Sequence, residues 1–176
     1  YKYDYYGFVT GRGTSYYCFV EDKEVFNESN LEIDNAVGSH LDSKSIEDVH
    51  GVHVMDGTMN SFPSGLEKVF PMLDSIYFDY MHLKEIHQQN LQKFPNLKLL
   101  WLPYNDLQVL EKNLFKFNGQ LEMINLIFNK ISHIDANIFD HLNNLHSLHL
   151  SDNKCEASFD NIWNNKEDVK QMIKEI

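Results

Sequence analysis

The feature that most constrains this chain is a 24-residue spacing of apolar residues, which runs through more than half of its length. A pattern written LxxLxLxxNxLxxL recurs in five copies that begin at Val49, Leu73, Leu97, Leu121 and Leu145. A second marker has the same period, because Phe70-Pro71 returns as Phe94-Pro95. Two markers with one period indicate a stack of similar structural units.

The LxL part of each copy predicts a short strand, since alternate side chains of a strand point to opposite faces. The two leucines then face a shared interior. The Asn that follows can satisfy backbone groups where the chain turns off the strand, so Asn105, Asn129 and Asn153 should form a ladder. Gly57 and Met81 interrupt this ladder, and the first two rungs should turn less regularly.

Over residues 49–156 the pattern resembles the leucine-rich-repeat superfamily, in its longer extracellular-type repeat with an apolar pair such as Ile138-Phe139 on the convex side. The resemblance implies an α/β solenoid. We expect a right-handed curved coil of about five rungs with a parallel β-sheet on the concave face.

End rungs of a solenoid need covers, because each rung buries its apolar face only against its neighbours. Residues 1–48 lack the period, and residues 3–10 and 15–20 flank a glycine-rich turn as a plausible hairpin, which predicts an N-terminal β cap. Residues 157–176 predict a C-terminal capping helix. Its apolar residues are Phe159, Trp163, Val169, Met172, Ile173 and Ile176. Caps and repeats should form one continuous domain.

A closer resemblance rests on residues 16–20 (YYCFV), 37–41 (VGSHL) and 46–52 (IEDVHGV). They are similar to the lead-in of short secreted insect leucine-rich-repeat proteins. That resemblance implies one cysteine pair in the N-terminal cap and another in the C-terminal flank. The chain departs from it, because Cys18 and Cys155 each lack the expected partner.

The two cysteines should not pair with each other. Five rungs stacked about 4.8 Å apart would separate them by roughly 20 Å, whereas a disulfide requires Cα atoms within about 7 Å. Cys155 has the phase of Leu107 and Ile131, and we expect it to be buried. Cys18 is either buried in the cap or forms an intermolecular disulfide.

Charge argues against binding to nucleic acid or to an anionic membrane, while composition alone leaves the compartment open. The formal net charge is -11, whereas both ligands call for a basic surface. No apolar run is long enough to span a membrane, and a removed signal peptide would account for the missing Met. Asn27-Glu28-Ser29 is a possible glycosylation site. We therefore expect an extracellular glycoprotein.

The repeat phase predicts which side chains point outward from the sheet. The position between the two leucines is held by His53, Tyr77, Trp101, Asn125 and His149. A contiguous apolar and aromatic patch is expected from Tyr77, Tyr80, Leu99, Trp101, Tyr104, Met123, Ile127 and Phe128. Such a patch usually marks an interface, although part of it could lie under a cap or be ordinary surface. Asp56, Asp79 and Asp152 form an acidic rim, which fits a partner with basic edges and equally a solvated border.

Catalytic and metal-binding patterns are not recognisable in the sequence. His53 and His149 lie four rungs apart, and no histidine pair has ligand spacing. Gly11-Arg12-Gly13 lacks the setting of a phosphate loop, and no nucleophile motif is present. We expect no enzyme activity, no cofactor and no metal.

These patterns predict an extracellular recognition module that binds a protein or peptide on its concave aromatic face. The alternative is a structural or self-assembling component, in which the patch, the tyrosine-rich cap or Cys18 joins identical subunits. A third hypothesis is a cytosolic acidic repeat protein that sequesters basic partners.

Overall fold

The structure is a computed structural model that describes residues 16–20, 31–36, 40, 43–135, 137–154, 167–168 and 171. Its strands are β1 (Tyr17–Val20), β2 (Gly51–Met55), β3 (Ser75–Asp79), β4 (Leu99–Trp101), β5 (Val109–Leu110), β6 (Met123–Asn125), β7 (His133–Ile134) and β8 (Ser147–His149). Its helical elements are a 3-10 turn (Ile46–Asp48), α1 (Leu66–Val69) and α2 (Gln88–Leu91). No helix in the described part of the chain is long and apolar enough to cross a membrane.

Six strands form one parallel sheet in the order β1-β2-β3-β4-β6-β8. Corresponding positions of successive repeats pair directly, as Ile76 does with Leu100 and Leu100 with Ile124. From β2 to β8 the chain makes about four turns, and each turn returns it to the sheet one strand further along. The predicted solenoid with a parallel sheet is confirmed; its handedness and curvature stay predictions.

The leucine positions of the repeat form the main core. Both LxL columns are at most 2% exposed, namely Val52, Ile76, Leu100, Ile124 and Leu148 in one and Val54, Phe78, Leu102, Leu126 and Leu150 in the other. Ile138 and Phe139 close this core from the opposite side, where Phe139 stacks on Phe115. The alternation of the LxL strand therefore places the two leucines inward, as the sequence predicts.

The asparagine ladder is present at the point where the chain leaves the sheet. The Asn129 amide donates to the carbonyls of Leu102 (2.9 Å) and Leu126 (3.1 Å), and its Oδ1 accepts from the Leu107 N–H (3.1 Å). Asn105 and Asn153 repeat this arrangement one rung away on either side. The side chains thus link successive coils, and the predicted role of the Asn is confirmed.

Of the two rungs that lack this Asn, the one with Met81 turns differently. Met81 takes the Asn position and is fully buried. Its N–H donates to Asn105 Oδ1 of the next rung (3.1 Å). The following residue, His82, has a left-handed backbone with φ 54°, which its counterparts Asp106 and Lys130 do not have. The less regular turn predicted for the Met81 rung is therefore observed.

The predicted caps are described only in part. β1 extends the parallel sheet by pairing Cys18 with Val52, while the rest of the proposed hairpin lies outside the described residues. The predicted C-terminal helix also lies outside them, apart from residues 167, 168 and 171. The division into residues 1–48, 49–156 and 157–176 stays a prediction.

Candidate protein-binding face

The outer face of the sheet, opposite the main core, carries a second apolar cluster. Tyr17, Tyr77 and Leu99 are its buried members, and Phe19, Trp101 and Met123 pack against it half-buried. Tyr77 and Trp101 occupy paired positions of β3 and β4, with ring centroids 6.2 Å apart. Both therefore point away from the leucine core, as the repeat phase predicts.

Tyr77 and Leu99 are not exposed, and this part of the predicted patch is wrong. Only 8% of Tyr77 and 7% of Leu99 is accessible. The ring of Tyr17 lies edge-on to Tyr77 at 5.7 Å, and Trp101 approaches from the other side. Burial, followed by the nearby Tyr17 hydroxyl, raises the pKa of Tyr77 above its usual value. These two residues therefore support the outer face rather than offering contact area.

Tyr17 is the outer-face residue that the periodicity did not reveal, because it precedes the first repeat. It pairs with Gly51, and a Cβ added at Gly51 would overlap Cδ1 and Cε1 of the Tyr17 ring. The small Ser75 follows in the same column, before Leu99. The run of small residues at the start of this column was the available signal, since it leaves space for a large ring from the cap.

A ladder of three aromatic rings borders the outer face where the chain turns off the strands. We call Tyr80, Tyr104 and Phe128 the ring ladder. The Tyr80 and Tyr104 centroids lie 4.2 Å apart with planes 9° from parallel, and those of Tyr104 and Phe128 lie 4.5 Å apart with planes 6° from parallel. Their exposed fractions are 45%, 38% and 42%. Unlike Tyr77 and Leu99, the ladder is an accessible aromatic surface.

All three ladder residues have a left-handed backbone, with φ between 52° and 55°. The column begins with Asp56 (φ 59°) and ends with Asp152 (φ 57°). This conformation costs an L-residue about 1–2 kcal/mol, and it is observed most often for Gly, Asn and Asp. The shared backbone geometry orients the three side chains alike, and the strand spacing brings their rings into stacking distance.

Charge on this side of the sheet is acidic only. The outward columns are the four series that start at Gly51, His53, Met55 and Asp56 and continue every 24 residues through five rungs. None of these twenty positions is Lys or Arg. Asp79 Oδ2 lies 3.0 Å from His53 Nε2, while its other oxygen is buried without a hydrogen-bond partner in the described part of the chain. Desolvation, followed by the Tyr104 hydroxyl and nearby carboxylates, raises the pKa of Tyr80.

The accessible centre of the face is therefore smaller than the sequence predicts. Trp101, Met123 and Ile127 are half-buried, and they lie between the buried Tyr77 cluster and the ring ladder. Asn125 and His149 of the central column are buried; Asn125 Oδ1 accepts from the Ile127 N–H (3.0 Å), and His149 Nε2 lies 2.9 Å from Ser147 Oγ.

Cys18 lies inside the main core, and the structure argues against its predicted intermolecular disulfide. The residue is fully buried and unpaired. Burial raises the pKa of its thiol to about 12. A thiol in this position reaches no second chain and stays protonated at neutral pH. Of the two alternatives for Cys18, burial in the cap is the one observed.

Other predicted sites fall outside the described residues or lack the necessary geometry. Asn27 and Cys155 belong to segments that the structure does not describe. Within the described ranges, no three His, Cys, Asp or Glu side chains come together as a metal site. A cavity of about 110 Å³ lies beside Cys18, Ala36 and Phe70, on the inner side of β1 and away from the ring ladder.

Comparison with protein families supports the interpretation of the repeats. The family model described as leucine rich repeat matches residues 95–154. This match and the coil of parallel strands support the leucine-rich-repeat superfamily. Domains of this class commonly mediate protein–protein interactions, and the family is typically non-enzymatic. A search of curated proteins found none that matches the chain.

Proposed function

We propose that this chain is a non-enzymatic extracellular recognition module that holds a protein or peptide on the outer face of its sheet. Trp101, Met123 and Ile127 would supply the centre of the contact, and the ring ladder would supply one border. Tyr77 and Leu99 would hold Trp101 in place from beneath. Aromatic residues with this mixture of support and exposure frequently dominate binding energy.

The observation that carries the proposal is the exposed, left-handed ring ladder. Three large aromatic residues occupy backbone positions that Asn or Gly would fill with less strain, and roughly two-fifths of each side chain is accessible. Stacking of the three rings offsets part of this strain. Backbone strain retained together with exposed apolar surface is typical of a functional site.

Partner capture with matched variants tests this proposal. The purified chain, Trp101→Ala and Phe117→Asn would be immobilised and exposed to an extract or fluid from the native source. Phe117 is the control, since it is 45% exposed and lies outside the outward columns of the sheet. We expect proteins that are retained by the unmodified chain and by Phe117→Asn to be lost from Trp101→Ala. Retention of the same proteins by all three, with unchanged circular dichroism, would refute the assigned face.

The self-assembling alternative is tested by sedimentation. The buried Cys18 leaves the outer face and the tyrosine-rich cap as the surfaces that could join identical subunits. We expect a monomer at micromolar concentration with and without reductant. A concentration-dependent dimer that Trp101→Ala dissociates would assign the face to self-association instead.

The extracellular location is proposed from the resemblance and the sequon. Mass spectrometry of the native protein should find a glycan on Asn27. An unmodified Asn27, together with recovery from the cytosolic fraction, would favour the acidic sequestering protein.

A further inference from the structure

The two ends of the ring ladder differ from its middle. Tyr104 has a ring stacked against each of its faces, whereas Tyr80 and Phe128 each have one face without a stacked ring among the described side chains. The next residues in the column are Asp56 beyond Tyr80 and Asp152 beyond Phe128. Both aspartates are exposed.

An aspartate beside a larger ring produces a step in the column. Its carboxylate ends closer to the backbone than the outer part of a Tyr or Phe ring does, so the ring projects beyond it. The aspartate side chain is therefore too short to cover the outer part of the terminal ring face, and its carboxylate lies nearer the base of the ring. An aromatic face attracts a cation through its quadrupole, and the adjacent carboxylate can form an ion pair with the same cation.

We propose that the ladder ends are two cation sites and that the partner is a basic peptide segment with a side-chain guanidinium on each. One guanidinium stacks on Phe128 and pairs with Asp152, and the other stacks on the outer face of the Tyr80 ring. This inference rests on the proposed function and specifies the chemistry of its partner.

Charge and geometry support this occupant over an apolar or acidic one. The twenty outward positions contain no Lys or Arg to repel it. Two lysines follow the ladder column at the turn: Lys130 is paired with Asp106 at 2.6 Å, and Lys154 lies two residues after Asp152. Arginine suits the site because its planar guanidinium stacks on a ring while its N–H groups bond to a carboxylate. An acidic partner would meet the carboxylates of Asp56, Asp79 and Asp152 on this face.

The spacing of the two cations follows from the ladder. The stacking distances of 4.2 and 4.5 Å place the Phe128 ring about 9 Å from that of Tyr80. A guanidinium stacked roughly 3.5–4 Å outside each end gives a separation of about 16 Å. An extended chain rises about 3.3 Å per residue, so the arginines should be about five positions apart.

Synthetic peptides test this inference and do not require the native partner. The first peptide is extended, about ten residues long, and carries two arginines separated by four residues. In the second, citrulline replaces both arginines and removes only the charge. In the third, one residue separates the arginines. Isothermal titration at low salt should show the first peptide binding about tenfold more tightly than the second. The third should fall between them, because it can occupy only one end.

Variants of the protein locate the binding. Phe128→Asn removes a ring face and leaves a residue that accepts the left-handed backbone, so the fold should persist. We expect Phe128→Asn and Asp152→Asn each to weaken the first peptide severalfold and to leave the citrulline peptide unchanged. Phe117→Asn should change neither. Equal affinity for arginine and citrulline peptides, or no measurable binding of either, would overturn the inference.

These outcomes separate the inference from the proposed function. If Trp101→Ala abolishes capture of a native partner while arginine and citrulline peptides bind alike, the face binds protein but the ladder ends are not cation sites. If arginine peptides are preferred and capture is unaffected by Trp101→Ala, the cation sites stand and the proposed centre of the face is wrong.

Discussion

The rings of Tyr80 and Tyr104 stack nearly parallel with 4.2 Å between their centroids, although both residues have a left-handed backbone. The same turn conformation recurs one coil later at Phe128. Repetition of the turn, rather than a particular loop sequence, therefore builds this aromatic surface. Substitutions at one ladder position can therefore test its left-handed backbone.

Glycine and alanine at position 104 should reverse their usual order of stability. Both substitutions remove the ring, but only glycine adopts φ 55° without strain. We expect the free energy of unfolding in urea to be about 1 kcal/mol higher for Tyr104→Gly than for Tyr104→Ala. At Gln108, an exposed residue of the same rung without positive φ, alanine should be the more stable. If the alanine variant were more stable than the glycine variant at both positions, the left-handed backbone of Tyr104 would be contradicted.

Asn129→Ala should lower the free energy of unfolding more than most substitutions of polar residues do. It leaves the buried Leu107 N–H without its acceptor. The Leu102 and Leu126 carbonyls each lose one donor and keep the amides of Asn105 and Asn153. We expect a loss of about 3 kcal/mol in urea unfolding. Asn144→Ala, at an exposed position, should change stability by less than about 0.5 kcal/mol. Similar small losses at both positions would argue against the ladder.

The contact between Tyr17 and Gly51 predicts a coupled pair. Gly51→Ala should cost about 1–3 kcal/mol because its methyl group overlaps the Tyr17 ring. In a Tyr17→Ala background the same substitution should cost little, which gives a coupling energy of about 1 kcal/mol or more. Additive effects in the thermodynamic cycle would show that β1 does not lie against β2 in this register.

Asp106 should contribute a pH-dependent part of the stability. Its hydrogen bonds with Lys130 and then His82 lower its pKa below the usual value and outweigh desolvation, which raises it. A lowered folded pKa means that the contribution is fully present above the unfolded pKa and is lost as the pH falls through the folded pKa. Asp106→Asn should therefore destabilise the protein at pH 7 by less than about 1 kcal/mol. Urea unfolding near pH 7 and below pH 4 checks this. If the unmodified protein and Asp106→Asn differed by the same free energy of unfolding at both pH values, the lowered pKa of Asp106 would be contradicted.

The strand positions could be predicted from the sequence, whereas the exposure of the outer face could not. Ile76, Leu100 and Ile124 repeat every 24 residues, and strand alternation alone assigns them to the core. Tyr77 follows the same rule and points outward, but its burial depends on Tyr17. Because Tyr17 precedes the first repeat, periodicity contains no information about that contact.

The ring ladder shows the same limit of sequence-based prediction. Tyr80, Tyr104 and Phe128 could be placed in one outward column because they share a phase. Their stacking depends on a left-handed turn that residue type does not favour, since aromatic residues rarely take positive φ. The sequence therefore does not reveal that these rings lie face to face. Among the described side chains, one face of Tyr80 and one face of Phe128 have no ring stacked on them.

Site-specific photo-crosslinking tests the central claim most directly. A photoreactive phenylalanine analogue would replace Trp101 in one variant and Phe117 in another, and both would be irradiated with the partner-containing fraction. The account predicts an intermolecular protein adduct from position 101 that maps to a discrete partner segment, with none from position 117. Adducts from position 117 alone, or none from position 101 while the partner still binds, would contradict recognition through the outer face of the sheet.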